Sequence, residues 1–230
     1  MDRSAYSAYK KFHVAVDCII FGFDEGELKL LIHKRKFEPF MGHWSLFGGF
    51  LKPDESLHDG ARRILFELTG LEDIYLEQLY TYGDPGRDPA GRVISVSYVA
   101  LIPGYRYSPD FSERYGAVWI SLKELPELIM DHGIMVEKGL RRLRRRASTQ
   151  PIGFELLPAE FTIPQLQSLY EAILGETLDK RNFRKKLLVM DLLVKLDQKD
   201  KSGSRKGAYL YKFDQERYNK LVNKGFSFTI

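Results

Sequence analysis

The residues best suited to chemistry lie between Gly48 and Leu71, in the stretch GGFLKPDESLHDGARRILFELTGL. Its glycines and carboxylates are the residue types that approach phosphate groups and bind hard divalent cations. Ile64 and Leu68, however, occupy positions where metal chemistry on a helix would need two more carboxylates. The sequence therefore poses the question of what such a helix does without most of its metal ligands.

Hydrophobic periodicity places this stretch on a helix between short strands. Apolar residues recur at helical spacing between Asp54 and Gly70, which predicts a helix there. The strand-like runs HVAVDCIIFGF and LKLLIHKRK surround the turn DEGE, and LEQLYTYGD and RVISVSYVAL surround PGRDPAG. A last strand, GAVWISL, leads into LKELPELIMDHGIMVEKGLRRLRRRA, which we expect to be helical. Strands around a helix indicate an α+β domain.

The spacing of these residues resembles the signature box of the Nudix hydrolases. Trp44 and the glycine pair also stand where that family enters its box. The resemblance implies an α/β/α sandwich in which helix carboxylates bind a divalent metal and help to position the water that attacks a pyrophosphate. The matching residues are Gly49, Glu55, Arg63, Leu65, Glu67, Gly70 and Leu71.

Two departures from the box argue against catalysis. Ile64 and Leu68 replace glutamates and offer no oxygen to a hard cation, which leaves Glu67 alone in that run. We therefore expect no efficient hydrolysis, no bound metal and no cofactor, although an active Nudix pyrophosphohydrolase remains an alternative. Glu67 either contacts a ligand or only pairs with Arg63, four residues earlier on the helix.

The charge of the chain is unevenly distributed. Residues 1 to 137 hold 15 basic and 21 acidic side chains, a net charge of −6, whereas residues 138 to 230 hold 20 basic and 10 acidic ones, a net charge of +10. The C-terminal part therefore carries a field suited to a polyanion. We place the boundary near STQPIG and predict domains over residues 1–148 and 149–230.

The C-terminal domain follows the order of a winged helix-turn-helix. FTIPQLQSLYEAILG begins with a Thr162 cap and ends at Gly175, and a second helix starts after a tight turn, capped by Thr177 or Asp179. A strand, the basic loop KDKSGSRKGA and the strand YLYKF follow. In this fold the second helix enters the major groove of DNA.

The second helix and the loop supply candidate DNA contacts. Phe183, Leu187 and Met190 share one helix face, which directs a basic face outward. Arginine and asparagine read base edges, whereas lysine neutralises phosphates. On the helix the candidates are Arg181, Asn182, Arg184 and Lys185, in the loop they are Lys199, Lys201, Arg205 and Lys206, and in the run of five arginines from Arg141 to Arg146 they are Arg144 and Arg145.

Both halves together resemble the Nudix-related transcriptional regulators of bacteria, the NrtR and AraR group. The stretch FTIPQLQSLYEAILGETLDKRNFRKKLL is similar to that group's DNA-binding domain. The resemblance implies a dimeric repressor that leaves its operator when a small metabolite binds the Nudix-like domain. The chain looks most like the AraR branch, which implies L-arabinose as the effector and sugar-utilisation genes as targets. The alternative is an NrtR-type regulator of NAD metabolism that senses ADP-ribose.

Four residues are candidates for effector binding. An uncharged sugar needs hydrogen-bonding groups and an aromatic wall. We select Trp44 for stacking and Lys52, Glu67 and Asp84 for hydrogen bonding. Trp44 in the core, or Lys52 and Asp84 as solvated turn residues, would be the structural alternatives.

Cysteine usage and hydropathy indicate a cytoplasmic protein. The single cysteine, Cys18, lies in an apolar run, so we expect a buried thiol and a reducing compartment. No stretch approaches the length of a membrane span, and the N-terminus lacks the apolar core of a signal peptide.

Overall fold

The structure is a computed structural model that describes residues 7, 9–72, 74–103, 116–202, 205–226 and 228. None of the helices in this part of the chain is long and apolar enough to cross a membrane. Gly203 and Ser204 of the predicted basic loop lie outside the described residues, as does part of the segment before the strand GAVWISL.

The N-terminal part is built on a seven-stranded mixed sheet. Its central strand, β1, is antiparallel to β2, with Phe21 opposite Leu30, and parallel to β6, with Val16 opposite Val96. The order is β3, β2, β1, β6, β5, while β4 also pairs with β1 and β7 with β2. The strands are β1 (His13–Asp24), β2 (Glu27–Lys34), β3 (Trp44–Ser45), β4 (Phe47–Phe50), β5 (Tyr75–Tyr82), β6 (Val93–Pro103) and β7 (Ala117–Ser121).

Helix α1 (Leu57–Thr69) covers one face of this sheet. The Ser56 side chain caps its first turn by accepting from the Asp59 N–H, and Gly70 ends it with a left-handed φ of 65°. Ile64 is buried, 4% exposed, in a cluster with the sheet residues Val16 and Phe47. The side chain that replaces a glutamate is therefore part of the hydrophobic core.

Helix α2 (His132–Thr149) covers the other face. The expected helix beginning at Leu122 is wrong in its first part: Leu122–Glu124 forms one 3-10 turn, and residues 125–131 are not helical. Pro126 explains the interruption, because proline cannot donate a backbone hydrogen bond and disfavours helical geometry in the residue before it.

The C-terminal part has the predicted winged-helix order. Helix α3 begins with a capping box between Thr162 and Gln165, and Asp179 caps α4. The small sheet has the order β8, β10, β9. The elements are β8 (Phe161–Thr162), α3 (Ile163–Leu174), α4 (Lys180–Met190), β9 (Leu193–Asp200), β10 (Ala208–Phe213) and α5 (Gln215–Val222). Helix α5 is an addition to the predicted elements.

One hydrophobic cluster joins the two parts of the molecule. It continues from Ile19 on the sheet, through Leu143 of α2, to Leu169 of α3 and Phe183 of α4. The predicted architecture, a sandwich of helices around a sheet followed by a winged helix, is thereby confirmed. Because the cluster is continuous, a displacement of α2 must disturb the packing of α3.

Candidate effector pocket and nucleic-acid interface

A cavity of about 150 Å³ opens where β1 and β4 meet. We call it the primary cavity; Asp17, Gly48, Gly49, Arg87 and His132 are among the residues that line it. Gly48 pairs with Asp17 across the two strands. A Cβ at Gly48 would collide with the Asp17 carboxylate and lie 2.7 Å from the Val16 carbonyl oxygen, so only glycine allows this close approach.

A buried ion-pair network forms the polar end of the primary cavity. The Arg87 side chain is 4% exposed and donates to Asp131 from both Nε, at 2.8 Å, and Nη2. Arg87 Nη2 also lies 3.9 Å from Asp17, and Asp17 accepts a short hydrogen bond from Ser95. Two carboxylates therefore compensate the buried guanidinium, as a charge in this environment requires.

His132 completes the network as a neutral acceptor. Its Nδ1 accepts from the Leu46 N–H at 3.1 Å and lies 3.4 Å from Ser45 Oγ, while its Nε2 lies 3.9 Å from Asp17. Burial lowers the pKa of His132 below its ordinary value of 6.5, and the neighbouring carboxylates only partly oppose this shift. The first residue of α2 is thus held inside the cavity wall.

A second cavity of about 250 Å³ lies beside the first, above α1. His33, Phe37, Gly48 and Gly49 line both, so the two form one cleft. The α1 wall consists of Arg63, Ile64, Glu67 and Leu68, with an apolar pair where metal ligands would be needed. In the described ranges, no group of three or more histidine, cysteine or acidic residues could hold a metal ion.

Arg63 is engaged mainly by Glu55 rather than by Glu67. Its Nε and Nη2 donate to the Glu55 carboxylate at 2.9 and 2.7 Å, and Nη2 also lies 3.2 Å from the Phe50 carbonyl. Hydrogen bonds from Arg63 and from the Lys52 N–H lower the pKa of Glu55 to about 2. Glu67 lies 3.5 Å from Arg63, is exposed and lines the second cavity.

Helix α4 presents a basic face to solvent because its apolar face is anchored. Phe183 and Leu187 are buried, and the Phe183 ring lies 5.8 Å from that of Tyr170 in α3. The Asp179 side chain accepts from the Asn182 N–H at 2.7 Å, which leaves the Asn182 side chain free for other contacts. The exposed residues are Arg181, Asn182, Arg184 and Lys185, as predicted for this face.

The wing, which is the β9–β10 loop with its flanking residues, carries exposed cations. Lys199, Lys201, Arg205 and Lys206 are exposed around the β9–β10 loop, and the Lys199 Nζ lies 4.5 Å from the Tyr209 ring centre.

In α2, the Arg144 Nε donates to the Ile173 carbonyl at the end of α3, at 2.9 Å. Arg145 is exposed. Arg144 therefore joins the two domains in this structure, whereas Arg145 is accessible to a partner.

Comparisons with known proteins identify both halves. Residues 11–138 match the NUDIX domain family, and residues 153–213 match the NrtR DNA-binding winged helix domain. A relative from Acinetobacter baylyi, named ADPR responsive transcriptional repressor NtrR, is 33% identical over 217 residues, covering 93% of this chain and 86% of the relative. The chain belongs to the NrtR-type Nudix and winged-helix transcriptional repressors.

Solved structures of Shewanella oneidensis NrtR support this membership of the NrtR-type repressors. The complex with a 27mer DNA has a TM-score of 0.79 and 32% identity, and the match covers 87% of this chain and 93% of that chain. The NUDIX domain of the same protein complexed with ADP ribose has a TM-score of 0.53 and 32% identity over 62% of this chain and 99% of that one. DNA binding and repression are therefore properties of the family to which this chain belongs.

The cleft of this NrtR-type repressor contains one of the four predicted effector residues. Glu67 lines it, whereas Trp44, Lys52 and Asp84 line neither cavity. Trp44 packs against the core with Lys34 Nζ 5.1 Å from its ring centre. Lys52 and Asp84 are exposed turn residues whose backbone groups bond Glu55 and Arg87. A ligand role for these three stays a prediction without structural support.

Sequence reasoning missed most of the residues that line the cleft of the NrtR-type repressor. His132 and Arg87 come from distant segments that only the fold brings to Asp17, so no local pattern predicts that they meet. A buried acidic residue inside the apolar run VAVDCIIFGF was the one available signal for Asp17. The remaining candidates that the structure adds are Arg35, Phe37 and Phe50 at the mouth of the cleft.

Proposed function

We propose that this NrtR-type repressor binds ADP-ribose in the cleft between β4, α1 and the N-terminus of α2, and that binding releases DNA. The observation that carries the proposal is the make-up of the cleft: exposed aromatic rings and a cation at its mouth, an apolar α1 wall and a polar end. The relatives support it, because the Acinetobacter baylyi repressor is named as responsive to ADPR and the Shewanella oneidensis domain was solved with ADP ribose.

The mouth of the cleft suits a flat base next to a diphosphate. Phe37 and Phe50 are 60% and 58% exposed, and both line the primary cavity. Exposed aromatic rings of this kind bury favourably against the face of a purine. The Arg35 guanidinium lies 4.0 Å from the Phe37 ring centre and lines the same cavity, where it can compensate phosphate charge without a metal.

The polar end suits a ribose. Asp88 is half-buried in the wall of the primary cavity, beside the network of Arg87 and His132. Hydroxyl groups need donors and acceptors at fixed positions, and a buried network provides them without reorganisation. A nucleoside diphosphate sugar would thus use each region of the cleft.

The expectation of L-arabinose as effector is not supported. A neutral pentose would leave the aromatic mouth and Arg35 without a function, and the names of the relatives reported above refer to ADP-ribose. The ADP-ribose alternative accounts for both observations. Sugar-utilisation genes are consequently no longer the favoured targets.

We propose further that ADP-ribose is bound without efficient hydrolysis. Ile64 belongs to the core, Leu68 lines the second cavity, and Arg63 is held by Glu55. The ADP-ribose pyrophosphatase of Methanocaldococcus jannaschii, 35% identical over 141 residues that cover 61% of this chain and 80% of the enzyme, makes hydrolysis the second candidate function. Phosphate-coupled assays of AMP and ribose 5-phosphate release with Mg²⁺ distinguish the two.

Helix α2 connects the cleft to the winged-helix domain, so a movement of this helix on ligand binding provides a route to the release of DNA. Its first residue, His132, and its cap, Asp131, belong to the pocket network, while Arg144, three turns further on, bonds the end of α3. A ligand that binds better to one position of α2 shifts the population toward that position. In a homodimer with two winged helices on one operator, such a shift changes the spacing of the recognition helices.

Isothermal titration calorimetry of the full chain tests the binding step. ADP-ribose, L-arabinose, AMP and ribose 5-phosphate are titrated separately into the wild type, the Arg35→Ala variant and a control variant, Lys123→Ala, whose exposed side chain lies in the 3-10 turn after β7 and lines neither cavity. We expect binding of ADP-ribose, at least tenfold weaker binding to Arg35→Ala and an unchanged control. Binding of L-arabinose with no heat from ADP-ribose would overturn the proposal.

A further inference from the structure

A basic groove lies between α2 and β5, on the side of the sheet opposite to α1. It has a volume of about 240 Å³ and is lined by Leu79, Tyr80, Lys138, Arg141, Arg142 and Arg145. Four of these six residues are cationic, and none is acidic. The groove is separate from the effector cleft and from the recognition helix α4.

A bulge in β5 builds the floor of this groove. The pairing of β5 with β6 shifts between Gln78 and Tyr80, so that Leu79 is the extra residue. An extra residue reverses the alternation of side chains, which places Tyr80 and Tyr82 on the same face as Tyr75 and Glu77. As a result, the Lys138 Nζ lies 3.7 Å from the Tyr80 ring centre and 4.9 Å from that of Tyr82.

The arginines of α2 divide into engaged and available groups. Arg146 donates to Glu77 at 2.5 Å, and Arg142 lies 3.5 Å from the same carboxylate. Arg141 and Arg145 lie on the helix face of Lys138 and are exposed, and no hydrogen bond or ion pair to another described residue holds either guanidinium. Glu77 is therefore already paired with two arginines, and because no carboxylate of the described residues lines the groove, the groove keeps a net positive charge.

We propose that this groove binds phosphate groups of the DNA backbone beside the segment that the winged helix reads. The inference rests on DNA binding by the repressor but not on the identity of its effector. Lys138 and Arg145 are seven residues apart, about 10 Å along the helix. One DNA strand carries one phosphate per about 3.4 Å of axis, so this distance spans about three phosphates.

The position of the groove in the fold fits this ligand. The same helix bonds the end of α3 through Arg144, which places the cationic face of α2 next to the DNA-binding domain. The Tyr80 ring is 53% exposed and is flanked by cations. It provides an apolar surface for the edge of a sugar, while the lysine and arginine groups are available to phosphate. Contact through phosphates adds affinity without adding sequence preference.

A matched pair of triple variants tests the proposal. Lys138→Ala/Arg141→Ala/Arg145→Ala removes the groove charges, and Lys10→Ala/Lys11→Ala/Arg62→Ala removes three exposed charges elsewhere in the same domain. Both are titrated at several salt concentrations with a duplex selected from a random pool, in a form trimmed to the winged-helix site and a form extended by ten base pairs on each side. Thermal unfolding checks that both remain folded.

We expect the groove variant to bind the extended duplex at least tenfold more weakly than the control variant does, with a salt slope shallower by about 2 to 3. On the trimmed duplex the two variants should bind with equal affinity. Equal losses on both duplexes, or equal losses in both variants, would overturn the proposal. The proposal would also be overturned if the groove variant differed from the wild type in mass by sedimentation while duplex length had no effect on its DNA affinity. The groove would then bind an acidic face of a second copy of the chain. Calorimetry with ADP-ribose is independent of all these outcomes.

Discussion

Arg87 Nε donates to Asp131 Oδ2 at 2.8 Å, and this bond joins the loop after β5 to the N-cap of α2. It ties the wall of the cleft that we propose as the effector site to α2, the helix that contacts the winged-helix domain. The buried guanidinium depends on Asp131 because Asp17, its other carboxylate, lies 3.9 Å away. The stability of this junction and its response to ligand are therefore measurable at single residues.

Replacing Asp131 by asparagine should destabilise the fold. The change keeps the shape but leaves Arg87, 4% exposed, without its main counter-charge, and breaking a buried pair in this way costs about 3 kcal/mol. Urea unfolding followed by circular dichroism measures the loss. Asp24→Asn, which removes a surface pair with Lys29, should change the free energy of unfolding by less than about 1 kcal/mol. Equal effects of the two substitutions would refute the role given to the network.

Gly48→Ala should abolish effector binding and lower stability. The new methyl group would collide with Asp17 and with the Val16 carbonyl, so β4 could not remain paired with β1 at the cleft. Calorimetry with ADP-ribose and thermal unfolding give the two readouts. The control is Gly91→Ala, where a Cβ would meet no atom within 4 Å. Wild-type binding by Gly48→Ala would show that the cleft tolerates a wider strand separation.

His132 should make the protein less stable below neutral pH. Because burial lowers its pKa below 6.5, the unfolded state binds the additional proton first as the pH falls. The contribution is present above pH 6.5 and is lost as the pH falls through that value, by up to about 1.4 kcal/mol per pH unit. His33 is shifted in the same direction by burial and adds to the effect.

His132→Asn isolates this contribution. The asparagine Oδ1 can replace Nδ1 as acceptor for the Leu46 N–H but does not titrate in this range. The difference in unfolding free energy between pH 7.5 and pH 5.5 should be smaller in the variant than in the wild type. An unchanged pH dependence would assign the effect to other groups.

Substitutions in α4 should separate sequence reading from general attraction. Arg181→Ala and Asn182→Ala should lower discrimination between specific and random DNA by about 1 to 3 kcal/mol per base contact. Lys185→Ala should instead weaken both alike and reduce the salt slope by about 0.9. Competition binding at several salt concentrations measures both quantities, with Lys123→Ala as control. Unaltered discrimination in the first two variants would place base reading elsewhere.

The sequence predicts the winged helix well because its signals are local. Thr162, Gly175 and Asp179 define three helix boundaries, the start and end of α3 and the start of α4, by short-range hydrogen bonds and backbone preferences that the structure shows. The buried Cys18 also follows from a continuous apolar run, and burial raises the pKa of its thiol. The predicted start of α2 was wrong because the prediction rested on helical periodicity alone, whereas Pro126 interrupts the helix.

The sequence indicates one wall of the cleft that we propose binds the effector, but it does not predict which residues form the opposite wall. The Gly48 to Leu71 motif identifies one wall, and the replacement of carboxylates by Ile64 and Leu68 predicts its apolar character. The opposite wall joins Asp17, Arg87 and His132, which lie between 45 and 115 residues apart in the chain and meet only through the pairing of β1 with β4 and β6. No local sequence pattern predicts that these three residues lie together, and none predicts the bulge in β5 that positions Tyr80.

Release of DNA by ADP-ribose is measured directly by a titration of the protein–DNA complex followed by fluorescence anisotropy. A labelled duplex selected from a random pool is held with the full chain at fixed salt, and ADP-ribose or L-arabinose is added without Mg²⁺. We expect ADP-ribose to lower the affinity for DNA at least tenfold and L-arabinose to have no effect. The Arg35→Ala variant should require more ADP-ribose for the same release. Release by L-arabinose, or DNA affinity unchanged at saturating ADP-ribose, would contradict the proposed function.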